Sequence, residues 1–267
     1  MKKFISLLLA SALSFAAVGC KNRTENEMTE PKKYFTLSFD DGTYEDEKLI
    51  TLLKKYNIPA TFCINTGLMD GNDVIEVAGN WRRMDFGYAK DNAVYDGFDV
   101  ISHAYKHREF TMLGDDEIVA QIEDDSVKIE ELTGKKPVGV AYPGGTAYYN
   151  DRVVGTLLSM TDIRFARDTD DTYGFALPRN FMAWNPTCSL LDDRLMAVAK
   201  EFVETPATED MLFYGWDHPW AISAYNAWKK VEEFFAYISD RDDIVYVTNT
   251  EFYELYKNKI ASKGLLE

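Results

Sequence analysis

The chain of 267 residues is 46% hydrophobic and 14% aromatic, enough for one sizeable core and hardly for two. Charged residues make up 27%, and Gly and Pro contribute only 16 and 8 residues, which excludes a disordered or fibrous chain. With 44 acidic against 29 basic residues the formal charge is −15, a balance that repels nucleic-acid phosphates and anionic lipid faces alike.

The chain starts on Met1-Lys2-Lys3, and residues 4–18 are apolar apart from Ser6, Ser11 and Ser14. A basic start followed by a short apolar run has the form of a secretory signal and is too short for a stable membrane span. It ends in Ala17-Val18-Gly19-Cys20, which resembles a bacterial lipobox. The expectation is cleavage of residues 1–19 and lipid on Cys20, giving an exported lipoprotein held at the periplasmic or cell-surface side of a membrane; an ordinary signal with an incidental Cys is the competing reading. Cleavage removes two lysines and makes the charge more negative still. Residues 20–33 are polar, contain Pro31 and read as a tether, which leaves residues 34–267 as the folded domain. Three cysteines are too few for a disulfide scaffold. Cys63 and Cys188 could pair in an oxidising compartment, but Cys63 lies in an apolar run and a buried free thiol is the expectation.

Along the domain, residues 34–39 form a strand pattern, followed by the turn composition Asp40-Asp41-Gly42. Residues 45–56 place Leu49, Ile50, Leu52 and Leu53 on one helix face. Residues 60–64 read as a strand, and residues 65–97 as an irregular surface excursion. Residues 98–102 are a strand, and 115–132 a helix that starts on acidic residues and stops at Gly134. Strands at 138–142, 163–167, 211–216 and 244–247 alternate with helices at 151–160, 192–203 and 227–238, and residues 251–259 close the chain. No internal repeat is visible. Alternation of this kind signals a parallel sheet with crossover helices, as a closed or nearly closed barrel or as an open doubly wound sheet. No Gly-rich phosphate fingerprint follows the first strand, which lowers the nucleotide-binding alternative.

The chemistry-bearing residues follow the strands. The three histidines are His103, His107 and His218, each just after a predicted strand. His103 and His107, in Ser102-His103-Ala104-Tyr105-Lys106-His107, have an i, i+4 spacing that puts both imidazoles on one side of a helical turn. Asp40 and Asp41 follow the first strand, and His218 sits in Gly215-Trp216-Asp217-His218-Pro219. In parallel α/β proteins such loops converge on one site. Each piece alone has a plain structural explanation, as a turn, a loose pair or a packed imidazole. The combination is more specific: one oxygen ligand and two imidazoles leave positions open for water and substrate, as a catalytic zinc site requires.

On these motifs the sequence resembles the polysaccharide deacetylase family, carbohydrate esterases with a NodB-homology domain. Ser38-Phe39-Asp40-Asp41-Gly42 is similar to that family's first motif, Asp99 to His107 to its second, Val140-Ala141-Tyr142-Pro143-Gly144-Gly145 to its third, and Leu212 to His218 to its last. The resemblance implies an α/β fold, a distorted (β/α) barrel, TIM-like, with about seven parallel strands. It implies Asp40 as catalytic base, and Asp41, His103 and His107 as ligands of one divalent metal. The mixed donor set favours zinc, with cobalt or nickel as alternatives. It further implies an oxyanion donor at the Gly144 N–H, His218 as general acid, and a groove wall at Tyr142 and Pro143. The implied reaction is removal of acetyl groups from a glycan, N-linked or O-linked, with a glycan-binding protein without turnover as the alternative. Trp184, Trp216 and Trp220 are candidates for stacking on sugar, against core packing.

Two positions depart from the family pattern. Ala104 replaces a Ser/Thr of the second motif. Ala141 replaces an Arg that in many members holds the catalytic Asp. Residues 163–167 end on Arg167, at the barrel face of Asp40, whereas Arg164 falls on the opposite face, so Arg167 is the candidate to hold Asp40. An ordinary surface salt bridge is its competing explanation. Oligomeric state is not legible in the sequence.

Overall fold

A computed structural model describes residues 30–265, and the signal, lipobox Cys20 and most of the tether lie outside the described residues. Ten strands and eight α-helices follow one another as β1 (Lys33–Asp40), α1 (Asp46–Lys55), β2 (Thr61–Ile64), β3 (Val74–Ile75), β4 (Trp81–Arg82), α2 (Phe86–Asp91), β5 (Asp99–Ser102), α3 (Asp115–Thr133), β6 (Gly139–Ala141), α4 (Asp151–Met160), β7 (Phe165–Arg167), β8 (Cys188–Ser189), α5 (Leu195–Glu204), β9 (Met211–Asp217), α6 (Pro219–Ala224), α7 (Trp228–Ile238), β10 (Ile244–Tyr246) and α8 (Asn249–Tyr256).

Seven strands run in the order β7-β6-β5-β2-β1-β9-β8, all parallel, with β10 off that path on β1. The first strand is therefore central. Along one edge it pairs with β9 from Lys33 to Phe39; along the other its start pairs with β10 and its end with β2. The sheet curls, and an irregular segment spans its two edges. Trp184 bonds Ala166 and Asp168 of the β7 side, and Thr187 and Leu190 donate to Tyr214 and Trp216 of β9. This is the expected α/β distorted barrel, and the open doubly wound sheet is set aside.

Every residue of β1 is buried, because its two faces meet different cores. Phe35, Leu37 and Phe39 pack outward with Leu49, Leu53, Phe213 and Phe234 under the helices. Tyr34 faces inward, with Trp184, Tyr214 and Phe252. By alternation Thr36, Ser38 and Asp40 share that inner face. The barrel interior is thus aromatic at one end and becomes polar toward the strand C-termini. The helices form for ordinary reasons. In α1 acidic Asp46 and Glu47 open the first turn and Lys54 and Lys55 close the last. In α3 Gly134 adopts φ +74° to end the helix.

Residues 65–97 differ from the expected surface excursion. They contain the β3–β4 hairpin and α2, and Met84, Ala89, Val94 and Tyr95 are buried in the helix-side core. Short strands of two residues and a six-residue helix give too little periodicity to register in a sequence. Cys63 and Cys188 are both buried free thiols.

Candidate active site

The site sits at the C-terminal ends of β1, β5, β6, β7 and β9, in a cleft of about 600 Å³. Asp40 is the last residue of β1, so strand geometry alone aims it inward. Asp41 is turned the other way by its backbone: its φ is +84° and that of Gly42 +65°, both left-handed. Only glycine takes that conformation at no cost, and a Cβ on Gly42 would also press to 3.2 Å from Ile64. The double turn gives the two neighbouring carboxylates different partners, Arg167 for Asp40 and Arg83 with Trp220 for Asp41. Asp41 is swung toward the histidine pair while Asp40 stays with the barrel.

The histidine pair is not on a helical turn. Residues 103–107 form an irregular turn in which Ala104 and His107 both have positive φ, +62° and +50°. The i, i+4 spacing nevertheless brings the two Nε2 atoms to 3.1 Å of each other. Asn65 and Asp125 hold this turn. Asn65 donates its amide to the carbonyls of His103 and Ala104, the latter at 2.9 Å. Ser102 Oγ accepts the Ala104 N–H at 3.0 Å and donates to Asp125 at 2.6 Å. Burial pushes the Asp125 carboxyl up to about 6 despite donors from Ser102 and Thr66. Ala104 has no hydroxyl of its own, and its N–H is satisfied by the residue two before it.

One carboxylate oxygen of Asp41 and one imidazole nitrogen each from His103 and His107 lie within 4.8 Å of one another. This donor set fits a divalent metal. His103 Nδ1 donates to the Ala141 carbonyl at 2.9 Å, which leaves Nε2 as the free lone pair facing the cluster. Burial lowers the His103 pKa to about 4 and lowers that of His107 as well, so both imidazoles are neutral at neutral pH, the form a metal would need. Burial would raise the Asp41 pKa, but the surrounding imidazoles and the Arg83 guanidinium outweigh it and hold the carboxyl well below the usual carboxylate range.

Asp40 lies outside the ligand set. It is 2% exposed, and Arg167, itself fully buried, donates Nη2 to both its oxygens. Burial works against ionisation of Asp40, and Arg167 with the nearby imidazoles outweighs that, so its pKa falls below the usual carboxylate range. Arg167 stands beside Ala141 in the β6–β7 ladder. The cation missing at 141 is therefore supplied at the same level from the next strand. Arg164 points outward, bonded to the carbonyls of Thr161 and Ile163.

His218 lies across the cleft, its Nε2 3.8 Å from both Asp40 and Asp41. Gly144 has φ +76° and a Cβ there would collide with the Tyr148 ring at 2.3 Å, so only glycine fits. Its N–H makes no hydrogen bond among the described residues and borders the cleft. Tyr142 lines the cleft from a buried position, stacked on Tyr149, while Pro143 is buried behind it and does not line the cleft. Trp216 and Trp220 line the cleft. Trp216 covers the Arg167 guanidinium at 4.9 Å and donates to Asp171, and Trp220 donates to Asp41 at 2.8 Å.

Trp184 departs from its expected sugar-stacking place. It is fully buried among Phe165, Phe181, Tyr214 and Phe252, on the segment that closes the barrel, and is a core residue. The sequence reading also passed over Arg83, Asp73, Asn65 and Asp125. An acid within the apolar face of α3, among Ile118, Ile122 and Ile129, was a usable signal for Asp125. Arg83 had none.

Comparison with known proteins agrees with this geometry. The polysaccharide deacetylase family model matches residues 27–163, just over half of the chain. No curated protein sequence matches. Among solved structures, the Xyl-CE4 domain of a multidomain xylanase from the hindgut metagenome of Trinervitermes trinervoides is similar at 15% identity and TM-score 0.53, over 84% of this chain and 91% of that one. The T48 deacetylase with substrate has 18% identity and TM-score 0.50, over 84% and 92%. A CE4 family pseudoenzyme from Bacillus anthracis has 17% identity and TM-score 0.50, over 82% of this chain and 65% of that one. At these identities the likeness is one of fold. The Asp-Asp-Gly turn, the histidine pair and the Pro-Gly-Gly turn all fall inside the matched span and meet in one cleft, and the chain belongs to the polysaccharide deacetylase family.

Proposed function

We propose that the protein is a metal-dependent hydrolase that removes acetyl groups from a carbohydrate polymer or oligomer. The observation that carries this reading is Asp40: an ionised carboxylate, held by Arg167, beside a metal-type ligand set but not part of it. A protein that only bound glycan would have no use for it. Asp41, His103 and His107 would hold a divalent ion, zinc by the donor set with cobalt or nickel as alternatives, which would supply Lewis-acid polarisation at the acetyl carbonyl. Asp40 takes the proton of the attacking water. The free N–H of Gly144 donates to the oxygen that becomes negative. His218, within reach of the same space, returns a proton to the departing amine or alcohol. Trp216 and Trp220 offer ring surface along the cleft, each with its indole N–H already bonded to an aspartate.

Acetate release from chitin oligomers, peptidoglycan and acetylated xylan tests the reading and sorts N- from O-acetyl chemistry. Release from none of them, with glycan binding retained, would favour a binding protein without turnover. Residues 1–20 support export and a lipid anchor on Cys20. Wild-type protein found fully in the soluble fraction after osmotic release would refute that anchor.

A further inference from the structure

Arg83 enters the site from the segment after β4. Backbone pairing pins it there: Thr43 and Arg83 form an antiparallel bridge, and the Met84 N–H donates to the Gly42 carbonyl at 2.9 Å. The guanidinium, 7% exposed, is delivered between two carboxylates. Its Nη2 donates to Asp41 Oδ1 at 2.9 Å and its Nη1 to Asp73 Oδ2. Asp41 Oδ1 is also the oxygen 4.0 Å from the Nε2 atoms of both His103 and His107. A metal ion between the imidazoles would take that same atom. The orientation of Asp41 does not depend on Arg83 alone, because Trp220 donates to Oδ2 and the Asp41 N–H donates to the Cys63 carbonyl at 2.9 Å.

We propose that Arg83 serves as the internal counter-ion of the metal-free site and lowers its metal affinity by sharing Asp41 Oδ1. The inference rests on the metal-site reading above. A buried carboxylate stripped of its partner is strongly destabilised. Arg83 removes that penalty from the metal-free protein, so metal entry recovers less. Its charge also repels a divalent cation at close range. Both effects have the same sign, and it is opposite to that of a scaffold role, in which loss of Arg83 would loosen Asp41 and weaken binding.

The experiment is calorimetric titration of zinc chloride into metal-free wild-type protein and three variants. Arg83→Met is expected to bind zinc on the order of tenfold more tightly. Arg83→Lys keeps the charge and should stay within about threefold of wild type. Asp73→Asn leaves Arg83 wholly to Asp41 and should weaken binding by about threefold. Equal or weaker binding by Arg83→Met overturns the proposal. If that variant does not fold, Asp73→Asn decides, since unchanged or tighter binding there overturns it equally. No zinc, cobalt or nickel binding by the wild-type protein would overturn the metal-site reading itself, whereas normal wild-type binding with no gain in Arg83→Met overturns this inference alone.

Discussion

Asp40 and Asp41 are chain neighbours, both buried, and each meets an arginine, but the arginines arrive by different routes. Arg167 comes from β7, a strand of the barrel, where alternation puts it on the inner face beside Ala141. Arg83 comes from the connection between β2 and β5, fixed there by pairing with the turn that carries Asp41 and by its own N–H, which donates to the Asp73 carbonyl. The first ion pair is a property of the barrel and the second of the connection between β2 and β5. An arginine that holds the group proposed to move a proton is thus tied to the rigid frame. The arginine that touches the proposed metal ligand sits on a connection between strands rather than on a strand of the barrel.

The sharpest way to break this division of labour is Asp40→Asn. An amide cannot accept the proton of the attacking water, so kcat should fall by about a thousandfold or more while metal stoichiometry is unchanged. Loss of metal together with activity would show that the two aspartates have exchanged roles.

Arg167→Ala should cost about a hundredfold in kcat, with metal content retained. Full burial adds a second effect: Asp40 is left as an unpaired buried charge, and stability should drop by about 3–5 kcal/mol. Arg167→Lys should recover more of the stability than of the kcat, because a lysine restores charge but not a planar fork. Wild-type kcat in Arg167→Ala would mean that another group orients Asp40.

On the Asp41 side, acidity is the probe. Protons compete with the metal for the imidazoles, and an ordinary histidine begins to be lost as pH falls through about 6.5. Burial depresses the His103 pKa to about 4, so its neutral form persists well below that point. With His107 lowered as well, zinc affinity should fall by well under the hundredfold that two unperturbed imidazoles, at about tenfold each, would cost between pH 7 and 5.5. A hundredfold loss over that interval would show that the ligands titrate as exposed histidines.

The smallest expected effects separate two tryptophans. Trp216→Phe loses the bond to Asp171 and part of the cover over Arg167, and kcat should fall about threefold to tenfold with little change in melting temperature. Trp184→Phe should do the reverse, costing about 1–2 kcal/mol of stability through a cavity while kcat stays. A kcat effect at Trp184 equal to that at Trp216 would blur the line between interior and cleft.

What the sequence determined on its own is what regular elements carry. Alternating strand and helix patterns specify a parallel α/β sheet, because the two periodicities are local and each strand of β1 type must be buried on both faces; the pattern alone left barrel and open sheet undivided. The same regularity places Asp40, His103, Gly144, Arg167 and His218 at strand ends, and side-chain alternation is enough to put Asp40 and Arg167 on one inner face. Tertiary structure alone decided the rest. Trp184 reads in sequence like any tryptophan near a site loop, but the segment that carries it closes the barrel, and that makes it core. The histidine pair meets through left-handed backbone at Ala104 and His107, stabilised by Asn65 and Ser102, rather than through a helical turn. Arg83 is the clearest case. Its contact with Asp41 spans residues 42 apart, and it exists because Thr43 and Arg83 pair as backbone. Backbone hydrogen bonds of that kind are blind to side-chain identity, so no pattern of residue types announces them.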